Sequence, residues 1–155
     1  AVVRRELGLP PDAPLVGLVT RFDPQKDHET FVRAAGLLHA RRPDVHFLLC
    51  GDGIDRDNAQ LMRWIMEAGV AGRCHLLGRR NDVARLDQAL DVATSSSAWG
   101  EGFPNVVGEA MACGVPCVVT DVGDSALIVG DTGTCRAIRR NANGVRQCVL
   151  AHWRS

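Results

Sequence analysis

Short apolar runs alternate with amphipathic stretches along this chain, and the alternation predicts strands and helices in turn. Leu15–Val19 is a β-rich run that follows a proline-rich entry, Pro10 to Pro14. From Asp27 to Arg41 the period changes: Phe31, Ala34, Ala35 and Leu38 fall on one helical face, and Pro43 stops the helix. Val45–Cys50 is a second strand, closed by Gly51-Asp52-Gly53. Asn58–Ala68 is a second helix, with Leu61, Trp64, Ile65 and Ala68 on one face and Gly69 as its C-terminal cap. The remaining elements are a strand at Cys74–Leu77, a short helix at Val83–Ala89, a strand at Val92–Ser95, a helix from Asn105 to Cys113 and a strand at Cys117–Thr120. No internal repeat interrupts this order.

Strands alternating with helices over short connections predict an α/β fold, a Rossmann-like doubly wound parallel sheet. With 155 residues there is room for one such domain and little more. Ligands in these folds bind at the carboxyl ends of the strands. The loops to inspect are therefore those after each strand: 20–27, 51–55, 78–83, 95–105 and 121–125.

Two of those loops carry chemistry. Glu101-Gly-Phe-Pro-Asn-Val-Val-Gly-Glu109 spans a loop-to-helix junction, with Pro104 suited to a first helical turn, where no amide hydrogen is needed. Helical side chains tilt toward the N-terminus, so the Glu109 carboxylate can point back to the cleft that Glu101 enters from the loop. Between them, the amides near Asn105 and Val106 form a phosphate-binding helix start. Carboxylates that accept from vicinal diols, flanking a diphosphate site, suit a nucleotide sugar. Taken alone, the segment equally fits a surface loop running into a routine helix. The second loop holds Arg21 and Lys26, a fork and a point charge suited to a diphosphate, with Asp27 as helix cap. Its bland reading is a solvated turn.

Composition narrows the field. Basic and acidic residues balance at 18 each, so the basic excess of a nucleic-acid binder is missing. Lys26 is the only lysine. No apolar run reaches the roughly 20 residues of a membrane span. No signal peptide opens the chain, and Ala1 stands where an initiator methionine would, as expected of a stretch inside a longer polypeptide or of processing. The six cysteines show no C-x-x-C pair, which favours reduced, buried residues in a cytoplasmic setting. Asp55-Arg56-Asp57 has the spacing of a metal motif but sits in a helix-entry loop, where capping explains it. His28 reads as a first-turn helical residue, Trp64 as core, and Trp99 equally as a sugar-pocket wall or a loop anchor. No G-x-G-x-x-G follows the first strand, which disfavours a dehydrogenase.

Four motifs in order resemble one family: Arg21 to Lys26, Gly51-Asp52-Gly53, Leu77-Gly-Arg-Arg-Asn-Asp-Val83, and Trp99-Gly-Glu-Gly-Phe-Pro-Asn-Val-Val-Gly-Glu-Ala-Met-Ala-Cys-Gly-Val-Pro116. They are similar to the C-terminal, donor-binding domain of the group 1 (family 4) retaining glycosyltransferases of GT-B fold, over about residues 14–133. The resemblance implies a single domain equivalent to the C-terminal half of such an enzyme. It assigns catalytic roles to Glu101, beside the transferred sugar, and to Arg21 and Lys26, on the donor diphosphate. It places Gly102, Phe103 and Pro104 along the sugar and phosphates, and Asn105 and Val106 at the diphosphate. Glu109 falls on the ribose, Gly51 and Gly53 at a close turn by the nucleotide, and Arg79 and Arg80 by the base. It implies sugar transfer from a nucleoside diphosphate with retention, without cofactor or metal. A non-catalytic nucleotide-sugar-binding module and a sugar-nucleotide epimerase of the same fold remain the alternatives. The acceptor would be held by an N-terminal domain that these residues do not contain, so the chain alone is expected to transfer no sugar. The expected setting is cytoplasmic, or peripheral at a membrane through that other domain. The tail departs from the family: residues 134–155 lack its usual turn and crowd five arginines and two cysteines, which leaves their packing open.

Overall fold

The computed structural model describes residues 2–99, 105–120, 136–138 and 141–154. Helix α1 (Val2–Glu6) precedes β1 (Leu15–Val19), and a 3-10 turn (Pro24–Lys26) leads into α2 (His28–Arg41). Then come β2 (His46–Cys50), α3 (Ala59–Glu67), β3 (Cys74–Leu76), α4 (Val83–Ala89) and β4 (Val92–Ser95). Next are α5 (Asn105–Ala112), β5 (Cys117–Thr120), β6 (Arg136–Ile138) and α6 (Ala142–Arg154). The described strands form one six-stranded sheet in the order β3-β2-β1-β4-β5-β6, every neighbouring pair parallel. The expected doubly wound α/β domain is therefore the observed one.

The two-residue period of the central strands sorts side chains into two cores. Val16, Leu18, Phe47 and Leu49 face α2, α3 and α6, where Phe31, Leu38, Leu61 and Val149 meet them. Leu15, Val19, Leu48 and Val119 face the other way, against Leu86, Val107 and Ala110 of α4 and α5. All five β1 residues are buried, which explains a run without polar alternation.

Element ends follow local chemistry. Asp27 caps α2 from the left-handed region (φ 50°), its Oδ1 accepting from Thr30 N at 3.3 Å and its Oδ2 from the Thr30 hydroxyl at 2.6 Å. Asn58 caps α3 by accepting from Leu61 N at 3.1 Å. Gly69, at φ 73°, closes α3 as expected. Asp55 Oδ1 accepts from Asp57 N at 2.9 Å, an Asx turn in the loop before α3, so Asn58 and not the Asp55-Arg56-Asp57 run caps the helix.

Helix α1 was not foreseen. Its Arg4 ties it to the α4–β4 junction and the loop before β1, donating to Ala89 O at 2.8 Å, Ala13 O at 2.7 Å and Asp91 Oδ2 at 2.9 Å. The tail also joins the fold. β6 pairs with β5 through Val118↔Arg136 to Thr120↔Ile138, and α6 packs along α2 through Val145 and Val149. Arg146 and Cys148 lie on an amphipathic helix whose apolar positions Val145 and Val149, four apart, face the core.

Candidate functional site

The sheet order creates a crevice. From β1 the chain moves outward through α2 to β2 and through α3 to β3, on one face. It then returns through α4 to β4, which lies beside β1 and continues through α5 to β5, on the opposite face. The connections leaving β1 and β4 thus diverge, and the carboxyl ends of these two strands are the switch point where such folds bind ligands.

Three loops are tied together there. The Ser96 hydroxyl donates to Lys26 O at 2.9 Å, Ala98 N to Gln25 O at 2.7 Å, and Gln25 Nε2 to Trp99 O at 3.1 Å, joining the β4 loop to the β1 loop. Thr20 N donates to Cys50 O and Phe22 N to Asp52 O, each at 2.8 Å, joining the β1 loop to the glycine turn after β2. Gly51 N donates to Gly78 O at 2.8 Å, which brings in the loop after β3. The glycine turn passes so close that a Cβ on Gly51 would overlap the Thr20 carbonyl and lie 2.8 Å from Arg21 N. One on Gly53 would lie 3.1 Å from Phe22 Cβ. Both glycines have positive φ, 147° and 77°.

The predicted residues divide as follows. Arg21 follows β1 with its side chain 59% exposed and its Nε 3.8 Å from Asp23 Oδ2, a weak pairing that leaves the guanidinium available at the crevice. Lys26 ends the 3-10 turn, partly buried. Helix α5 starts at Asn105, on the β4 side of the switch point, and Glu109 stands exposed one turn further in. The first amides of α5 have no intrahelical acceptor, as at any helix start. Arg79 is exposed. Arg80 is engaged: its Nε and Nη2 grip Asp82 at 2.8 and 2.6 Å, and its Nη1 donates to Glu6 at 3.1 Å. That bidentate bond, with Glu6 adding to it, raises the Arg80 pKa and holds the Asp82 carboxyl below its usual range. The Arg80 side chain therefore shapes the loop, and a ligand there would meet backbone. Glu101, Gly102, Phe103 and Pro104 lie outside the described residues, as do the side chains of Asn105 and Val106.

Sequence reasoning missed two buried titratable groups. His28 sits where expected, at the start of α2, but is buried with neither ring nitrogen partnered. Burial lowers its pKa to about 4, with Asp27 and Asp23 offsetting part of the shift. Asp87 on α4 is fully buried, with both carboxylate oxygens unpartnered. Burial, and then the charge of Glu109, raises its pKa to about 6. The available signal was Asp87's place between Val83 and Leu90 on the apolar face of α4. Trp64 packs partly buried against the core, while Trp99 anchors its loop through the backbone and is itself 54% exposed. Of the cysteines among the described residues, Cys50 and Cys117 are buried. No helix of the described residues is long and apolar enough to cross a membrane.

Comparison with known proteins fits this architecture. Residues 13–152 match the family model described as "Glycosyl transferases group 1". The lipopolysaccharide core biosynthesis glycosyltransferase LpsE of Rhizobium meliloti is 38% identical over 120 residues, covering 77% of this chain and 33% of that protein. The D-inositol 3-phosphate glycosyltransferase of Mycolicibacterium gilvum is 35% identical over 136 residues, covering 84% of this chain and 30% of its own length. The crystal structure of Anabaena HepE in complex with UDP and glucose superposes with a TM-score of 0.81 at 26% identity, over 96% of this chain and 41% of that one. The chain thus spans about a third of the length of the curated relatives it matches.

Proposed function

Since the chain belongs to the group 1 glycosyltransferases, we propose that it is the donor-binding domain of an enzyme that moves a sugar from a nucleoside diphosphate to an acceptor with retention of configuration. The observation that carries this reading is the convergence, at one switch point, of the Arg21–Lys26 loop, the Gly51 turn and the loop after β4. The complex of HepE with UDP and glucose supports the same class of ligand.

In this reading the diphosphate lies between Arg21, Lys26 and the first amides of α5. The bond from the anomeric carbon to the β-phosphate oxygen breaks, and the acceptor hydroxyl oxygen bonds that carbon on the same face while its proton passes to the departing phosphate oxygen. Charge builds on the leaving diphosphate, where two cations and the positive helix end meet it without reorganising. This arrangement supplies the neutralisation that a metal would otherwise provide. Glu109 accepts from the ribose hydroxyls, and Glu101 with residues 102–104 holds the sugar. The loop after β3 receives the base through Arg79 and the backbone of Arg80. The acceptor is held by a second domain across the cleft, and the enzyme works in the cytoplasm or at a membrane face.

Calorimetry with UDP and UDP-glucose, in the presence of a chelator, tests the reading. Binding is expected without metal, and Glu109→Ala is expected to weaken UDP about 10–100-fold, the loss of one charged hydrogen-bond pair. Glu101→Ala is expected to weaken UDP-glucose more than UDP. A folded chain that binds neither ligand would refute the proposal. Without an acceptor domain the chain should give at most slow donor hydrolysis, because positioning the acceptor can be worth about 7–11 kcal/mol.

A further inference from the structure

Toward the amino ends of the strands, away from the crevice, β3 is fastened to β2 by side chains as well as by main chain. β3 is three residues long and lies at one edge of the described sheet. Phe47 N donates to Arg73 O at 2.9 Å where it begins, and Leu77 N to Leu49 O at 3.0 Å where it ends. Close to the first of these bonds, the His46 and His75 rings stack with centroids 5.2 Å apart. His46 Nδ1 is 3.0 Å from His75 Nε2, and Arg73 Nη1 is 3.2 Å from the other His46 nitrogen, Nε2.

These two contacts fix the protons. A guanidinium only donates, so His46 Nε2 accepts from Arg73. A neutral imidazole carries one N–H, so the His46 proton is on Nδ1 and is donated to His75. His75 Nε2 therefore accepts, and its own proton is on Nδ1. The three side chains form one directed chain, with no place for a further proton. A proton on His75 Nε2 sets two N–H groups against each other. If His46 moves its proton to Nε2 to accept from His75, that N–H meets Arg73. A proton added on His46 Nε2 meets Arg73 directly. Every protonated state thus loses at least one of the two bonds and sets a second cation beside the guanidinium. A metal between the two facing nitrogens meets the same obstacle, because His46 would again have to carry its proton on Nε2.

The surrounding charges do not rescue the protonated pair. Asp44 acts on His46 but is gripped by Arg42 at 2.9 and 3.2 Å. β1, on the far side of β2, has no charged residue. On α1, Arg4 is turned to Ala13, Ala89 and Asp91, Glu6 to Arg80, and Arg5 is exposed. Burial, then Arg73 for His46 and His46 for His75, lowers both imidazoles from 6.5.

We propose that Arg73, His46 and His75 form an acid-opened clasp on β3: one proton entering the pair releases a side-chain bond and loosens this edge strand from β2 while the central strands stay closed. The clasp does not depend on the donor reading. β3 runs on to Gly78, whose carbonyl accepts from Gly51 N, so the strand it loosens is the one that carries the third loop of the crevice.

The test is long-range proton–nitrogen NMR of the histidine rings in the 155-residue chain, with amide hydrogen exchange followed from pH 7.5 to 5.5. At pH 7.5 both rings are expected as the Nδ1–H tautomer. Below about pH 6.5 the Phe47 and Leu77 amides are expected to lose protection by up to about tenfold per pH unit, after correction for intrinsic exchange, and to exchange faster than the amides of β1. Arg73→Gln is the deciding variant. Glutamine carries both a donor and an acceptor, so by turning its amide it can bond either form of His46. Its pair is expected to titrate nearer 6.5, and its β3 amides to keep their protection at pH 5.5. Arg73 is only half-buried, so this variant keeps the fold, and the tautomers are read on the parent chain without any substitution. An Nε2–H tautomer at His46 in the parent would overturn the proposal. So would β3 amides that exchange no faster than those of β1 in acid, or an acid loss that Arg73→Gln leaves unchanged.

Discussion

Gly51→Ala is expected to unfold the crevice locally and to destabilise the domain by about 3 kcal/mol, the sum of left-handed backbone strain and a backbone collision. The added methyl has nowhere to go. It meets the Thr20 carbonyl and Arg21 N, which are main chain and cannot rotate aside as a side chain can. Either the glycine turn retreats and loses Gly51 N to Gly78 O, or the β1 loop shifts and carries Arg21 with it. Urea denaturation measures the stability loss, and calorimetry with UDP the lost binding. Gly53→Ala is the graded control: it meets only Phe22 Cβ at 3.1 Å, so a smaller loss is expected. Equal midpoints for Gly51→Ala and the parent chain would show that this turn is not held as tightly as its bonding indicates.

The second large effect is in pH dependence, where Asp87 and His28 act in opposite directions. Asp87 keeps its proton to about pH 6 when folded, against an ordinary carboxyl value of 3.8, so the native state binds that proton more tightly. Its contribution is fully present below about pH 3.8 and lost as pH rises through 6. His28 has a folded pKa of about 4 against 6.5, so its contribution is present above pH 6.5 and lost as pH falls toward 4. Each shift of about two units corresponds to on the order of 3 kcal/mol. Between pH 4 and 6 the two largely cancel. Burial also lowers the pKa values of His46 and His75, which adds to the acid loss. Asp87→Asn is therefore expected to raise the unfolding midpoint at pH 7.5, with the gain shrinking as pH falls through 6. His28→Gln is expected to flatten the acid side and leave the Asp87 slope exposed. Parallel stability–pH curves for the two variants would contradict these assignments.

The central strands were legible because they are buried on both faces. Leu15–Val19, Val92–Ser95 and Cys117–Thr120 are compact β-favouring runs that appear with the boundaries their patterns indicate. β6 escaped because Arg-Ala-Ile is three residues long and carries no alternation. α6 escaped for a different reason. Its buried core residues, Val145 and Val149, are one helical turn apart, too few to mark a helical period by themselves. At the site, Arg21, Lys26, Gly51, Gly53 and Glu109 were marked by residue type and spacing. The burial of His28 and Asp87 depends on which elements pack above them, and no local pattern encodes that. The capping role of Asp27 was legible, since a short acid before a helical period has one economical use.

The seat of α6 on α2 has a consequence for how the chain is made. Val145 and Val149 close an apolar surface formed by Val16, Phe31, Ala35, Leu38 and Phe47. During synthesis that surface leaves the ribosome long before its cover does. At about 5–20 residues per second, the interval between Leu38 and Val149 lasts roughly 5–20 s. Throughout it, a nascent chain with its first strands and helices already translated carries an uncovered greasy flank, the kind of surface that holding chaperones occupy and that neighbouring nascent chains adhere to. Helix α6 thus sets the moment at which this apolar flank is covered.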